Sequence, residues 1–241
     1  MTEHPILFSG PMVRAILDGH KIQTRRAMRP QIDLSQWPLK PGALEKEKEW
    51  RYMPRVADWH HIEENMWGLF NKEDKPSDVP YTGIKCPFGK PGDRLWVRET
   101  HGIIQPTHAT PGGKPYDQGP VYRADGDEAP TWDEGPFEFS GWRSSIHMPR
   151  WASRLTLEVT DVYVKQLQNM GKYDAQAEGF WPNGHVQDTD GCDVWCPKAS
   201  AEEAKSQFID YWDSRYDKQG FGWNANPWVF VVNFKDITKE K

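Results

Sequence analysis

The run Trp228-Val-Phe-Val-Val-Asn-Phe234 is apolar on both alternating sets of positions. A strand with one wet face alternates apolar and polar side chains, so this run has to be covered on both sides. It predicts a central strand of the sheet. A second strand is predicted over 154–165, where Leu155, Leu157 and Val159 share one face. A third follows the turn Pro91-Gly92-Asp93, with Leu95 and Val97 alternating against Trp96 and Arg98. Shorter strands are expected at Pro5–Ser9 and Val121–Ala124.

Three helices are predicted around these strands. Gly10-Pro11 opens the first, because proline at the first helical position gives up an N–H that has no helical partner anyway. Met12, Val13, Ile16 and Leu17 form its apolar stripe, and Gly19 is its stop. The chain then emerges at His20-Lys21 and runs extended through Arg26. The second helix spans Tyr173–Glu178 and stops at Gly179. The third follows the capping-box pattern Ser200-Ala-Glu-Glu203 and aligns Ala204, Phe208, Tyr211 and Trp212. Residues 30–80 read as irregular, with one short helix near Ile62–Phe70. Pro and Gly contribute 20 residues each, which suits a compact core with long loops and not a helix bundle. Five or six short, mostly non-parallel strands with three helices predict an α+β domain whose sheet curls into a small barrel. One domain over 1–241 is expected, with insertions at about 30–83, 101–141 and 181–199.

The net charge of −5 excludes a generally sticky binder of nucleic acid, yet its distribution is uneven. Residues 14–29 carry +4 and residues 143–154 carry +3, against an acidic remainder. Two basic islands in an acidic body predict a focused anionic ligand site. No stretch reaches the ~20 apolar residues of a membrane span, and Met1-Thr-Glu-His-Pro does not look like a secretory leader. Three irregularly spaced cysteines make no disulfide framework. The expectation is a cytoplasmic protein without a membrane partner.

The segment Gly19-His-Lys-Ile-Gln-Thr-Arg-Arg26 resembles the opening motif of ASCH domains, a branch of the PUA-like superfamily. Four further stretches resemble the family's longer phage- and prophage-encoded members, in the expected order. They are Pro91–Thr100, Ser145–Arg154, Asp174–Gly179 and Asn226–Phe234. The resemblance implies a PUA-like small β-barrel with flanking helices, whose groove holds a nucleobase or RNA. Some small bacterial ASCH proteins are amidohydrolases that deacetylate acetylated cytidine with a Lys, a Thr and a Glu. By motif position, the counterparts here are Lys21, Thr24 and Glu178. The large insertions depart from those small enzymes.

Amide hydrolysis would use the Thr24 hydroxyl as nucleophile and Lys21 as its base, if burial and the neighbouring Arg25 and Arg26 keep that amine neutral. Glu178 would orient the exocyclic nitrogen and pass a proton to the leaving amine. On a regular strand, positions 21 and 24 face opposite ways, so the pair requires a bend after Gly19. The alternative is binding alone, with Lys21, Arg25 and Arg26 holding an anion and Thr24 donating a hydrogen bond. Arg98, Glu99, His147 and Arg150 are secondary candidates for substrate contact. Trp96 and Trp142, each beside basic residues, are candidate stacking platforms.

Cys192-x-x-x-Cys196 has a spacing compatible with zinc, with Cys86 and His185 available to complete four ligands. Nothing else in the sequence asks for a metal or cofactor, and none is expected. There is no Gly-rich phosphate loop and no His-Glu-x-x-His motif. The leading expectation is recognition of nucleic acid or a modified nucleobase. The rivals are deacylation of N-acylated cytosine nucleosides and a phage accessory protein that uses the barrel as a protein-binding scaffold.

Overall fold

A computed structural model describes residues 1–29, 31, 57–63, 66–71, 82–106, 119–126, 137–180, 185–187, 193–195 and 200–238. Its centre is a five-stranded sheet formed by β1 (Glu3–Leu7), β2 (Gln23–Ala27), β3 (Arg94–Arg98), β4 (Thr156–Gln166) and β5 (Trp228–Asp236). The spatial order is β1-β3-β4-β5-β2. Only β1 and β3 are parallel; every other neighbouring pair is antiparallel. Helices α1 (Gly10–Leu17), α2 (Asp174–Ala177) and α3 (Ser200–Tyr216) complete an α+β architecture. None of these helices is long and apolar enough to cross a membrane.

Strand β5 is interior, as its two apolar faces require. Phe230, Val232 and Phe234 enter one core with Ile6, Val13, Leu95 and Leu157. Val229 and Val231 enter a second core with Leu167, Phe208 and Trp212 of α3. Alternation along one strand thus feeds two separate apolar layers. Within β3, Leu95 and Val97 are buried while Trp96 and Arg98 stay partly exposed, following the period of two.

The expected barrel does not close. Strands β1 and β2 are the sheet's edges, and no backbone ladder joins them among the described residues. The two edges nevertheless come within side-chain reach of each other, since Arg26 on β2 donates from Nη2 to the Leu7 carbonyl on β1 at 2.7 Å. Phe8, just past β1, packs on Phe234 with ring centres 6.1 Å apart, and its ring lies 5.3 Å from the Arg26 guanidinium. Side chains, not paired backbone, bridge the two edges.

Several local expectations are corrected. The helix expected near Ile62–Phe70 is a pair of antiparallel strands, Ala57–Glu63 and Met66–Asn71, extended by Thr82–Lys85. Trp59, Ile62, Trp67 and Phe70 favour strand over helix, and Gly68 lowers helix propensity further. The stretches expected as loops hold further strands, so the described residues contain thirteen instead of five or six. His101–Pro106 pairs with Pro120–Tyr122 and Phe137–Phe139, and His185–Gln187 pairs with Asp193–Trp195. The strand expected through Ala124 gives way at Arg123 to a turn of 3-10 helix. Leu17, assigned to the apolar stripe of α1, is exposed at the helix end.

Candidate functional site

Two glycines shape the site. Gly19 has φ +74 and ends α1, after which the N–H groups of His20 and Lys21 both return to the Ala15 carbonyl. Strand geometry begins only at Gln23, so Lys21 lies in the bend and not on the strand. That bend lets Lys21 and Thr24 line the same cleft. On the other wall, α2 ends at Glu178, and Gly179 follows with φ +89. A Cβ at position 179 would lie 2.9 Å from Ala15 Cβ and 3.1 Å from Lys21 Cβ. Glycine therefore permits both the turn and the close approach of Glu178 to Lys21.

The Ala177 carbonyl accepts from the Ile22 N–H at 2.9 Å, which fixes α2 against the start of β2. Lys21 is 3% exposed, and its ammonium donates to three acceptors. These are the Gln23 carbonyl at 2.8 Å, the Glu178 carbonyl at 2.6 Å and Glu178 Oε2 at 3.1 Å. Three donors matched to three acceptors describe a charged lysine held in a fixed position. Burial lowers its pKa to about 8, even though Glu178 pulls the other way. Arg25 and Arg26 reinforce the lowering as like charges. Most Lys21 side chains keep the proton at neutral pH, and the amine is freed readily just above it.

Arg25 extends the network. Its Nη1 donates to Glu178 Oε1 at 3.2 Å and to Gln23 Oε1 at 2.5 Å, while Nη2 pairs with Asp174. Gln23 Nε2 in turn donates to Asn233 Oδ1 at 2.7 Å and to the Tyr163 hydroxyl at 3.2 Å. Two buried cations are matched by two carboxylates, so Lys21 and Arg25 add no net charge to the cleft. Arg26 and Arg215 do, because no carboxylate among the described residues pairs with either. The Thr24 hydroxyl likewise has no hydrogen-bond partner there and remains open to a ligand. Phe8 and Met12 form one side of the cleft, and Tyr211, Trp212 and Tyr216 of α3 form the other. The cleft is small, with free space for about one water molecule.

The secondary candidates lie elsewhere. Glu99 is 1% exposed and receives Arg154 on both oxygens, at 2.9 and 3.0 Å. Arg154 also reaches Asp125 at 2.7 Å and lies 4.0 Å from the centre of the Tyr122 ring. Arg98 bonds the Ile146 carbonyl, and Arg150 grips Glu3 at 2.8 and 3.1 Å. Both guanidiniums flank Trp96, at 5.4 and 5.9 Å from its ring. Trp142 packs edge-on against Phe139 at 5.0 Å, and His147 is exposed in a 3-10 turn. None of these lines the cleft. The second basic island is correspondingly no partner of the first, since acids distant in sequence neutralise Arg150 and Arg154.

For the zinc set, Cys192 and Cys196 and the side chain of His185 lie outside the described residues. The fourth member, Cys86, is buried, and burial pushes its thiol up to about 12. Among the described residues no group of three or more His, Cys, Asp or Glu is placed to hold a metal. Sequence reasoning missed Asp174, Gln23, Tyr163, Asn233 and Arg215. Tyr163 sits within a segment read for its strand pattern, and Asp174 opens a stretch read for its helix and its family resemblance, with no role given to its own carboxylate. Arg215 lies one helical turn beyond Tyr211 and offered no signal of its own.

Compared with protein-family models, with curated proteins and with solved structures, the chain matches none.

Proposed function

We propose that this chain is an ASCH-type protein of PUA-like architecture, of phage origin, whose cleft recognises a nucleobase in nucleic acid or in a modified nucleoside. The observation that carries this reading is the convergence of Lys21, Thr24 and Glu178 in one cleft with an aromatic wall. Base edges need fixed donors and acceptors, and base faces need flat apolar surface. Thr24 and Glu178 supply the former, and Phe8 and Tyr211 the latter. The approach of the two sheet edges, bridged by the Arg26 side chain, supports the PUA-like frame. The saturated ammonium of Lys21 favours binding over turnover.

Hydrolysis is the second reading, favoured by the loosened proton of Lys21. In that reaction the neutral amine accepts the Thr24 proton as Oγ attacks the acyl carbon. The proton gained by Lys21 passes through Glu178 Oε2 to the departing exocyclic nitrogen as the C–N bond breaks, and water later hydrolyses the acyl-Thr24 ester, releasing the carboxylate and restoring the hydroxyl.

A panel of cytidine, N4-acetylcytidine and short RNA and DNA, titrated at two salt concentrations, tests the first reading. Phosphate contacts predict weaker binding at higher salt. Absence of binding to every member at low salt rules that reading out. Release of acetate from N4-acetylcytidine, lost in both Lys21→Ala and Thr24→Ala, would establish the second.

A further inference from the structure

Arg26 is a cleft cation whose hydrogen bonding is incomplete. Its Nη2 bonds the Leu7 carbonyl, but its Nε is buried and has no acceptor. Buried guanidinium N–H groups are ordinarily satisfied, and the Nε groups of Arg94 and Arg98, outside the cleft, share this lack. The ring of Phe8 lies 5.3 Å from the guanidinium and holds its plane. Register explains why the group reaches the cleft: Arg26 opposes Phe230 on β5, and Thr24 opposes Val232, so both point to one face of an edge strand. From the other wall comes Arg215, exposed on the last turn of α3 and stacked at 4.6 Å on Tyr211.

Neither arginine is matched by a carboxylate among the described residues, whereas Lys21 and Arg25 are each tied to Glu178. The charges of Lys21 and Arg25 are therefore paired, whereas Arg26 and Arg215, which line the same cleft, add two uncompensated positive charges. A neutral base at the buried end would leave those two charges unmatched. We propose that Arg26 and Arg215 form a phosphate subsite, so that the cleft takes a nucleotide unit and not a bare nucleoside. The assignment rests on the nucleobase reading above for the buried end alone. The phosphate group is common to a mononucleotide and to the backbone of a polynucleotide. Guanidinium suits it because a planar fork of donors matches two phosphate oxygens at once.

Calorimetric titration of the full chain tests this with N4-acetylcytidine, its 5′-monophosphate, a short single-stranded oligonucleotide and inorganic pyrophosphate. The monophosphate is expected to bind on the order of tenfold tighter than the nucleoside at low salt, with the margin shrinking as salt rises. The ratio of the two affinities should collapse in Arg26→Gln and fall in Arg215→Gln. Arg215 is exposed, so its variant gives a result even where Arg26→Gln lowers the melting temperature. Equal affinity for nucleoside and monophosphate, or an unchanged ratio in both variants, overturns the subsite. Should no nucleoside bind while pyrophosphate binds in an Arg26-dependent way, the subsite stands and the nucleobase reading falls. An oligonucleotide much tighter than the monophosphate identifies the polymer as the phosphate source, and the reverse identifies the mononucleotide. Failure of every probe at low salt removes both proposals.

Discussion

Gly179 presses against Lys21 so closely that a methyl group at position 179 would stand 3.1 Å from Lys21 Cβ and 3.4 Å from its Cδ. The contact brings the end of α2 onto the bend that precedes β2. It also joins Glu178 to Lys21 without a connecting element. The geometry of the site accordingly depends on a residue with no side chain.

Gly179→Ala is expected to destabilise the fold by about 1–3 kcal/mol, from a strained positive φ and from overpacking against Ala15 and Lys21. The same change should displace Lys21 from Glu178 and weaken ligand binding beyond the stability loss. Urea unfolding paired with ligand titration below the unfolding transition separates the two effects. A variant with full stability and full affinity would show that the close approach is dispensable.

Lys21 carries an unusual pH signature. Burial lowers its folded pKa to about 8, below the ordinary lysine value. Between about 8 and the unfolded value near 10.4, the unfolded chain holds more protons than the folded one. Stability contributed at this position therefore rises with pH across that window and is flat below it. Urea midpoints of the wild type and Lys21→Met at pH 7 and pH 9.5 test this. The wild type should gain relative to the variant at the higher pH. If the cleft hydrolyses amides, its rate should climb toward pH 8 and level off above, as the amine becomes neutral.

Periodic segments were legible in the sequence. Strand β5 announced its interior position by being apolar at consecutive residues, and Gly19 and Gly179 marked the helix ends that frame the site. Only the pairing of Lys21 with Thr24 asked for a bend after Gly19, and the strand indeed starts past Lys21, at Gln23. What escaped was non-local. Arg150 and Arg154 looked like a basic island because Glu3, Glu99 and Asp125, which neutralise them, lie far away in the chain. The pairing of Arg25 with Asp174 spans 149 positions, and no local pattern encodes such a partner. The hairpin at 57–71 was hidden because short apolar runs fit strand and helix templates alike.

Asp93 secures the edge of the sheet. Its carboxylate accepts the Thr2 N–H at 2.7 Å and the Lys90 N–H at 3.2 Å, and it lies 3.7 Å from His4. Burial raises its pKa, but these hydrogen bonds and the nearby imidazole outweigh that and leave it below the ordinary value. A depressed carboxylate stabilises the fold above its unfolded pKa, and the contribution is lost as pH falls through the folded one. Asp93→Asn is expected to cost about 1–3 kcal/mol at pH 7 and progressively less below pH 4. Thermal melts of both proteins from pH 3 to pH 7 check this, and a pH-independent difference would count against the linkage.

Glu99 and Arg154 make the converse case. Burial raises the Glu99 pKa, and the bidentate guanidinium only partly restores it. Removing the arginine leaves a carboxylate that is 1% exposed without its counter-ion. Arg154→Leu should therefore destabilise by about 3–5 kcal/mol at pH 7. Because a raised carboxyl holds its proton more tightly when folded, the stability it costs is recovered as pH falls through the folded value. The destabilisation of Arg154→Leu should shrink as pH falls from neutral toward the ordinary carboxylate range, and Glu99→Gln in the same background should relieve it at neutral pH. Urea titrations of the single and double variants give the coupling directly. Ligand affinity measured on the same proteins should stay near wild type wherever they remain folded, since neither residue lines the cleft. A selective loss of affinity would move this pair into the binding site.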